Sequence, residues 1–567
     1  MNEKSRKKCA EGNAETLGIM WVSWYNHHMK TNEKQSEDFN KTIEELKKEN
    51  EQLKQQNQWL MEQFRLSKHK QYAASSEQSL VDQMNLFNEV EVTADSTLPE
   101  PSLTEVKTHF RKRTRLITDK LPDNIPIEII NHKLHKEECF CPECHSELHE
   151  MGKETRDELK IIPATAVILR HVRCIYSCRN CENTAEKVPV VKADMPEPVI
   201  KGGFASPDSI AHIVTQKFMM ASPLYRQEQE WKHNGILLSR QTMSNWLIKA
   251  SEEWLEPIYQ AMKKQLCNHK VLHADETVLQ VLKEPGKTAQ SKSYMWLYRT
   301  SGEANHQIVL YEYQPDRKHI HPEEFLRNFS GYLHADGYEG YHNLPGNITV
   351  VGCLGHLRRK FFDALKTMPK DKQKGSNAEK GVDYCDKLFH LEKQFASFSP
   401  ELRHKEREIQ SKPLLNELFN WIDQLNVLPN TLIGKAVYYG KSQRKYLERY
   451  LHDGRLEISN NRAERSIKPF VIGRKNWLFS NTPNGARASA IYYSLIVTSA
   501  ENGLNPFKYL SWILTNAPNL GKPGYAATVE DLLPGSDKIP SKVLVQKSTV
   551  AASEKYAWDE VGDSKEN

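Results

Sequence analysis

Apolar residues recur at every seventh position along a seam that begins near Ser36. Phe39, Leu46, Leu53 and Leu60 share one heptad position, and Ile43, Asn50, Asn57 and Phe64 share the other. That period predicts a short coiled coil, and Leu at one seam position with Asn at the other specifies a parallel dimer at some cost in stability. The alternative is an amphipathic helix packed on its own domain. Residues 88–125 lose the pattern: they turn acidic and proline-containing, then basic in KTHFRKRTR, as a linker with a cationic arm does. Between 205 and 262 the period is helical. There LYRQEQEWKHNGILLSRQTMSNWLIKA reads as a helix, a turn at Gly235, a cap at Ser239 and a second helix. This is the grammar of a helix-turn-helix, and equally of many helical hairpins that never touch DNA.

From 268 the texture becomes that of strands. KVLHADETVLQVL, SYMWLYRT and QIVLYEYQ predict three of them, close enough for a meander. HPEEFLRNF predicts a helix, GYLHADGYEGY and ITVVGCLG two further strands, and HLRRKFFDALK a helix. With a helix between those last two strands, the order is strand, strand, strand, helix, strand, helix, strand, helix, that of an α/β domain. A charged helical stretch of about 375–450 looks inserted into it. After it, EISNNRAERSIKPFVIGRKNWLF predicts a helix capped by Ser459 or Asn460 and carrying Glu464. Beyond Pro518 the chain is polar, and only VEDLLP is expected to be ordered.

A chain of 567 residues is long enough for several domains. Its net charge is only +5, yet the basic residues gather at Lys107 to Arg115, Arg358 to Lys374 and Arg462 to Lys475, where a polyanion could dock or solvent could cover them. No apolar run reaches the roughly 20 residues of a membrane span, and MWVSWY is too short for a signal-peptide core, so a cytoplasmic protein is expected. Six of the ten cysteines fall between Cys139 and Cys181. CPEC (Cys141, Cys144) and CRNC (Cys178, Cys181) are two knuckles able to present four thiolates to one structural Zn²⁺, which leaves no open position for catalysis. Cys139 or Cys174 could replace a nominal ligand, and His145 is a poorer substitute. The intervening IIPATAVILRHVRCIYSC predicts strands of a small β-unit.

The tetrapeptide LHAD occurs twice, at 272–275 and 333–336, and each copy ends a β-prone run in an aspartate, Asp275 or Asp336. An acid in such a run is costly without a partner. In a ribonuclease-H-like sheet the first and fourth strands are neighbours, which would set the two aspartates side by side. Like charges that close require a cation, and a hard ion such as Mg²⁺ (or Mn²⁺) with a third carboxylate, Glu464, satisfies them. Two such ions support in-line phosphodiester displacement.

These residues resemble the transposases of the insertion sequence 66 group, of the Asp-Asp-Glu class. HADET, the second HADGY, CLGHLRRKF, NNRAER followed by GRKNWLF, the CPEC and CRNC knuckles and PLYRQE stand in that family's order. The resemblance covers most of the chain, from the coiled coil to VEDLLP. It implies that Asp275, Asp336 and Glu464 are a catalytic triad on a ribonuclease-H-like core with a helical insertion. It also implies cutting and joining of the ends of the protein's own mobile element, with the zinc and helical segments holding DNA and small accessory proteins of the same element as possible partners. The first thirty or so residues extend beyond the family's usual start, and Gly355 and Leu357 depart from its common choices.

The expected organisation is an N-terminal extension (1–35), a coiled coil and helical segment (36–87), a linker with a basic arm (88–125) and a zinc-binding domain (126–195). A helix-turn-helix-like region (196–267), a catalytic domain (268–510) and a C-terminal tail (511–567) follow. The overall class is multidomain α/β. Arg111, Lys112, Arg113, Arg358, Arg359, Lys360, Arg465, Lys468, Arg474 and Lys475 are candidate contacts to the phosphates of element ends and target DNA, with His356 beside them at the helix start. Asp363 and Glu457 are alternative third acids. Glu276, adjacent to Asp275 on a strand, must point to the opposite face. A carboxylate pair also suits a glycosidase, but that chemistry needs neither knuckles nor a basic helix around the third acid. The second functional reading is a transposase-derived DNA-binding protein that no longer catalyses.

Overall fold

The computed structural model describes residues 43–50, 53, 54, 56, 57, 60, 61, 64, 166–177 and 190–545. The knuckle cysteines Cys141, Cys144, Cys178 and Cys181, the basic arm with Arg111, Lys112 and Arg113, and the N-terminal extension lie outside the described residues. Of the heptad segment, the described positions within 43–64 are helical, and Ile43, Leu46, Leu53 and Leu60 are exposed on that helix. A small antiparallel ribbon pairs Ile175–Ser177 (β1) with Val190–Lys192 (β2).

The helical region opens at Pro207–Phe218 (α1), where Ser206 and Ser209 form a reciprocal capping box and Pro207 fits a first turn that needs no N–H. Leu224–His233 (α2) and Arg240–Ala250 (α3) follow. Gly235 turns the chain between them at φ +76°, and the Ser239 hydroxyl accepts the Thr242 amide at 3.1 Å. Glu256–Cys267 (α4) then leads into the sheet.

Val271–Gln280 (β3), Lys292–Thr300 (β4) and Val309–Gln314 (β5) form an antiparallel meander. Ile320–Phe325 (α5), Gly331–His334 (β6), Glu339–His342 (α6), Ile348–Val351 (β7) and Leu354–Lys366 (α7) follow in the predicted alternation. The sheet order is β5-β4-β3-β6-β7, with β6 and β7 parallel to β3. Asn377–Gln394 (α8), Pro400–Glu406 (α9), Lys412–Gln424 (α10) and Leu432–Leu447 (α11) make up the insertion. Asn461–Trp477 (α12), Pro483–Glu501 (α13) and Pro506–Asn516 (α14) complete the chain of helices.

Strand β4 is buried on both faces through Met295, Trp296, Leu297 and Tyr298, which accounts for its unbroken apolar run. The outer edge of β5 is covered by α13. Ser494 Oγ accepts the Tyr311 amide, and Thr498 Oγ1 both accepts from and donates to Val309, so hydroxyls replace the missing strand. One hydrophobic core joins the sheet to α1, α3, α4, α13 and α14. The helical region is therefore packed into the same core as the strands. A second core holds α7, α8, α10 and α11 around Leu357, Phe361, Leu418 and Ile422 and reaches the sheet through Val271 and Val351.

Two expectations are corrected here. The C-terminal stretch is not ordered at VEDLLP alone: α14 runs across the expected boundary at 510, and residues to 545 pack back through buried Leu532, Leu533 and Val543, with the Asn505 and Val545 amides bonded to Val543 and Gly503 carbonyls. Leu532 and Leu533 lie within VEDLLP itself; beyond it, polar composition hid Val543, a single apolar anchor that shows no period. Second, Asn460 precedes α12, but neither it nor Ser459 caps that helix with its side chain. The Asn460 side chain is used elsewhere.

Candidate active site

The two LHAD copies begin side by side in register: Leu272 pairs with Leu333 and His273 with His334, and the ladder ends there, two residues before Asp275 and Asp336. The two aspartates are close enough for the charge of Asp336 to act on Asp275. Both histidines are fully buried and their rings stack at 4.4 Å. Burial, then the neighbouring His273, holds His334 well below the ordinary imidazole range, and its Nε2 accepts the Glu457 amide at 3.1 Å.

Asn460 ties this pair to α12. Its side chain meets His273 Nδ1 at 2.9 Å and donates to the Ala274 carbonyl at 2.8 Å, while its own amide donates to Cys353 Sγ at 3.1 Å. Three elements are locked at one buried residue: the strand bearing Asp275, the N-terminus of α7, and the helix bearing Glu464. Thr277 receives Arg474 of α12 at 3.3 Å. His273 and Thr277 therefore face α12, and Asp275, which lies between them on the same side of the pleat, faces it too. Glu464 sits in the first turn of α12. Its Oε2 accepts from Arg359 at 3.2 Å, and His356 Nε2 is 3.7 Å from Oε1.

Asp336 leaves the end of β6 in a turn, where its Oδ1 accepts the Tyr338 amide at 2.9 Å. Gly337 follows because a Cβ there would stand 2.8 Å from the ring of Tyr439, a residue of α11 that leans over the loop. Burial, with the charges of Cys353, Asp336 and Glu464, raises the Tyr439 phenol. Glu276 points the other way, as its position on the strand requires: it is bound by the Arg317 guanidinium and by the Tyr341 hydroxyl at 2.6 Å.

The electrostatics are those of uncompensated acids. Burial raises the Asp275 carboxyl well above its ordinary range, the charges of Glu276, Asp336 and Glu464 raise it further, and only the Glu276 amide, 2.8 Å from Oδ1, opposes them. Glu276 is raised by burial and by Asp336 but relieved by Arg317 and Tyr341. A divalent cation beside Asp275 would remove the repulsion that these groups place on it. Glu457, the alternative third acid, is committed elsewhere. Although burial pushes it up, His273 and Arg462 hold it well below the carboxylate range, and Arg462 Nε donates to it at 2.8 Å.

Among the described residues, one group of three His, Cys, Asp or Glu side chains brings its ligand atoms within 4.8 Å of one another: Cys353, His356 and Glu464. Asp275 and Asp336 stand outside it. Of the candidate DNA contacts, Arg358 is paired with Asp386, Arg359 with Glu464 and Arg474 with Thr277, and the Lys360 ammonium lies 4.9 Å from the Tyr439 ring centre. Arg465, Lys468 and Lys475 are exposed on α12. Sequence reasoning passed over Asn460 as anything but a cap, and passed over Tyr439. The first was signalled only by the histidine inside the repeat, the second by nothing local, since α11 is far from the acids along the chain.

Residues 202–488 match the family described as Transposase IS66 family, residues 138–182 match the zinc-finger binding domain of transposase IS66, and residues 59–130 match Transposase C of IS166 homeodomain. The zinc-finger match spans all four knuckle cysteines. The chain is similar to three uncharacterized proteins of Sinorhizobium fredii (strain NBRC 101917 / NGR234). It is 30% identical to y4jD over 70% of this chain and 77% of that one, 27% identical to y4hP over 77% and 81%, and 30% identical to y4qI over 68% and 72%.

Proposed function

The chain belongs to the IS66 transposase family, and from that membership we propose that it is an Asp-Asp-Glu transposase that binds the ends of its own insertion sequence and carries out metal-dependent strand cleavage and strand transfer. The observation that supports this reading is the in-register start of the two LHAD copies on neighbouring parallel strands, with the charges of Asp336 and Glu464 both acting on Asp275. The β5-β4-β3-β6-β7 order, antiparallel then parallel, supports a ribonuclease-H-like core for the segment 268–510, with the helices of 375–450 as its insertion.

Asp275, Asp336 and Glu464 would hold Mg²⁺ (or Mn²⁺), and the crowded, partly buried carboxylates fit a hard cation. When bound, such ions activate an attacking oxygen and stabilise a leaving one during in-line displacement at phosphorus. The protein's own part is positioning. Asn460 and the stacked histidines fix the strand and the helix, and Arg359 neutralises Glu464 and can turn to a phosphate. The exposed cations of α12 bring the DNA backbone to the acids without reading its sequence. Tyr439 shields the Asp336 loop from the insertion side. Element ends labelled on one strand and incubated with the protein in Mg²⁺ or Mn²⁺ should be cut at the element boundary and joined to target DNA. Binding without cutting, with the element's accessory proteins supplied, would favour the non-catalytic reading instead.

The proposal extends to the segments beyond the core. Residues 126–195 bind one zinc through Cys141, Cys144, Cys178 and Cys181, consistent with their zinc-finger match. Cys178→Ser combined with Cys181→Ser should remove that zinc and unfold the small domain, read by metal analysis of purified protein. Zinc retained undiminished in the double variant would exclude this ligand set. Residues 36–67 associate two chains through the heptad seam, where Ile43, Leu46, Leu53 and Leu60 are exposed. Deleting the segment should lower the mass seen by light scattering, and an unchanged mass would place the dimer contact elsewhere. None of the helices among the described residues is long and apolar enough to cross a membrane, and a nucleoid-associated, cytoplasmic enzyme is the location that fits a DNA substrate.

A further inference from the structure

Cys353 immediately precedes α7 and His356 lies in its first turn, so a Cys-x2-His pair opens the helix beside Glu464 of α12. Their ligand atoms lie within 4.8 Å of one another. We infer that Cys353, His356 and Glu464 form a site for a soft divalent transition metal, zinc foremost, and that such an ion competes for Glu464 with the hard ion of the catalytic reading. The metal site stands on its own geometry; the competition rests on the proposed function.

The donor set is mixed in a way that magnesium does not use. A thiolate, an imidazole and a carboxylate are the three side-chain types that bind zinc, whereas magnesium selects oxygen and water. Cys-x2-His is also the spacing at which a turn presents two ligands to one ion. The Cys353 sulfur receives the Asn460 amide at 3.1 Å, and N–H donors of this kind orient a coordinating thiolate. Burial raises the free thiol to about 11, while the amides of Asn460, His356 and Gly355 favour its ionised form. Coordination completes that ionisation: a sulfur–metal bond forms, the S–H bond breaks, and the proton leaves to solvent.

His356 supports the same assignment. Its Nδ1 is buried without a hydrogen-bond partner, and its Nε2 stands 3.7 Å from Glu464 Oε1, beyond hydrogen-bond distance. A half-buried imidazole with one nitrogen enclosed and unmet is costly, and a metal ion would meet its lone pair. The groups facing this site are Arg359, on Oε2 of Glu464 at 3.2 Å, with Lys360 and Asp336 farther off. Arg359 is exposed and can leave its carboxylate when an ion arrives.

The test is a Co²⁺ titration of the full-length protein, followed by metal count and by the sulfur-to-cobalt absorption band. Wild type and Cys385→Ser, which removes another buried thiol, should each take up one more ion per chain than Cys353→Ser, and the band should weaken in Cys353→Ser alone. His356→Gln should loosen the same ion by tenfold or more. Equal counts and spectra in wild type and Cys353→Ser would overturn the site. If Cys353→Ser fails to fold, undiminished binding in His356→Gln overturns it equally. Zn²⁺ added to Mg²⁺-supported cleavage should inhibit wild type at concentrations that leave Cys353→Ser at its own zinc-free rate. Zinc bound at Cys353 without inhibition would refute the competition. Absence of cleavage in every protein would refute the competition together with the catalytic reading, while the metal count still decides the site.

Discussion

Asp336→Asn is expected to abolish metal-dependent cleavage and joining of element ends while leaving DNA binding largely intact. The amide keeps the size of the side chain and can still accept the Tyr338 amide that shapes the turn, so the loop should hold. What disappears is one negative charge from a site whose remaining acids must neutralise divalent ions. Metal stabilisation of the transition state is worth several kcal/mol, which corresponds to a loss of about 10² to 10³ in rate. Binding should survive because affinity for DNA comes from Lys and Arg meeting phosphates, and the acids repel the backbone. Asp275→Asn should behave alike. Glu276→Gln should cost less activity, since its carboxylate serves Arg317 and Tyr341 on the opposite face, although weakening that buried pair should lower stability. Full activity in Asp336→Asn, or a loss in Glu276→Gln as deep as in Asp275→Asn, would exclude the triad.

Arg407→Ala should destabilise the insertion severely, by about 3 to 5 kcal/mol, the usual consequence of removing one partner from a buried ion pair. Arg407 is 1% exposed. Its Nε and Nη2 grip both oxygens of Glu392 at 2.8 and 2.5 Å, and its remaining N–H groups reach the carbonyls of Tyr450, Asp453 and Leu456 at 2.8 to 3.0 Å. Truncation leaves a nearly buried carboxylate and three carbonyls unmet. The carbonyls belong to the segment that runs into Glu457 and Asn460, so the damage should spread to the clamp beneath Asp275. Arg407→Lys keeps the charge but cannot make the forked pair, and should recover only part of the loss. Urea denaturation followed by fluorescence and by proteolysis within 375–450 would report it. A midpoint unchanged in Arg407→Ala would show that the insertion is held by its apolar core alone.

The alternation of strands and helices from 268 onward was legible because each element carries its own period, and the helix-turn-helix-like pair because Gly235 and Ser239 are local signals. The adjacency of the two repeat strands was legible for a different reason: the chain writes the same tetrapeptide on both, and the parallel ladder sets Leu272 beside Leu333 and His273 beside His334. The clamp beneath them was not. Asn460 reaches Ala274 across 186 positions of sequence, and its local context, a small polar residue before a helix, predicts a cap that it does not make. Arg407 sat within a run of charges that reads as a solvated face, and only folding shows that it is enclosed. The order beyond VEDLLP hid behind polar composition for the same reason, since its buried anchor, Val543, is a single residue. Local pattern identifies elements; the residues that bind elements together act through contacts no window of sequence contains.

The most direct measurement of the central claim is anomalous diffraction at the manganese edge from crystals grown with Mn²⁺ under conditions in which the protein cuts element ends. Manganese is expected against the carboxylates of Asp275 and Asp336, with Glu464 completing the ligands and the signal lost in Asp336→Asn. A protein that cuts in Mn²⁺ yet holds no manganese at Asp275 and Asp336 would contradict the assignment.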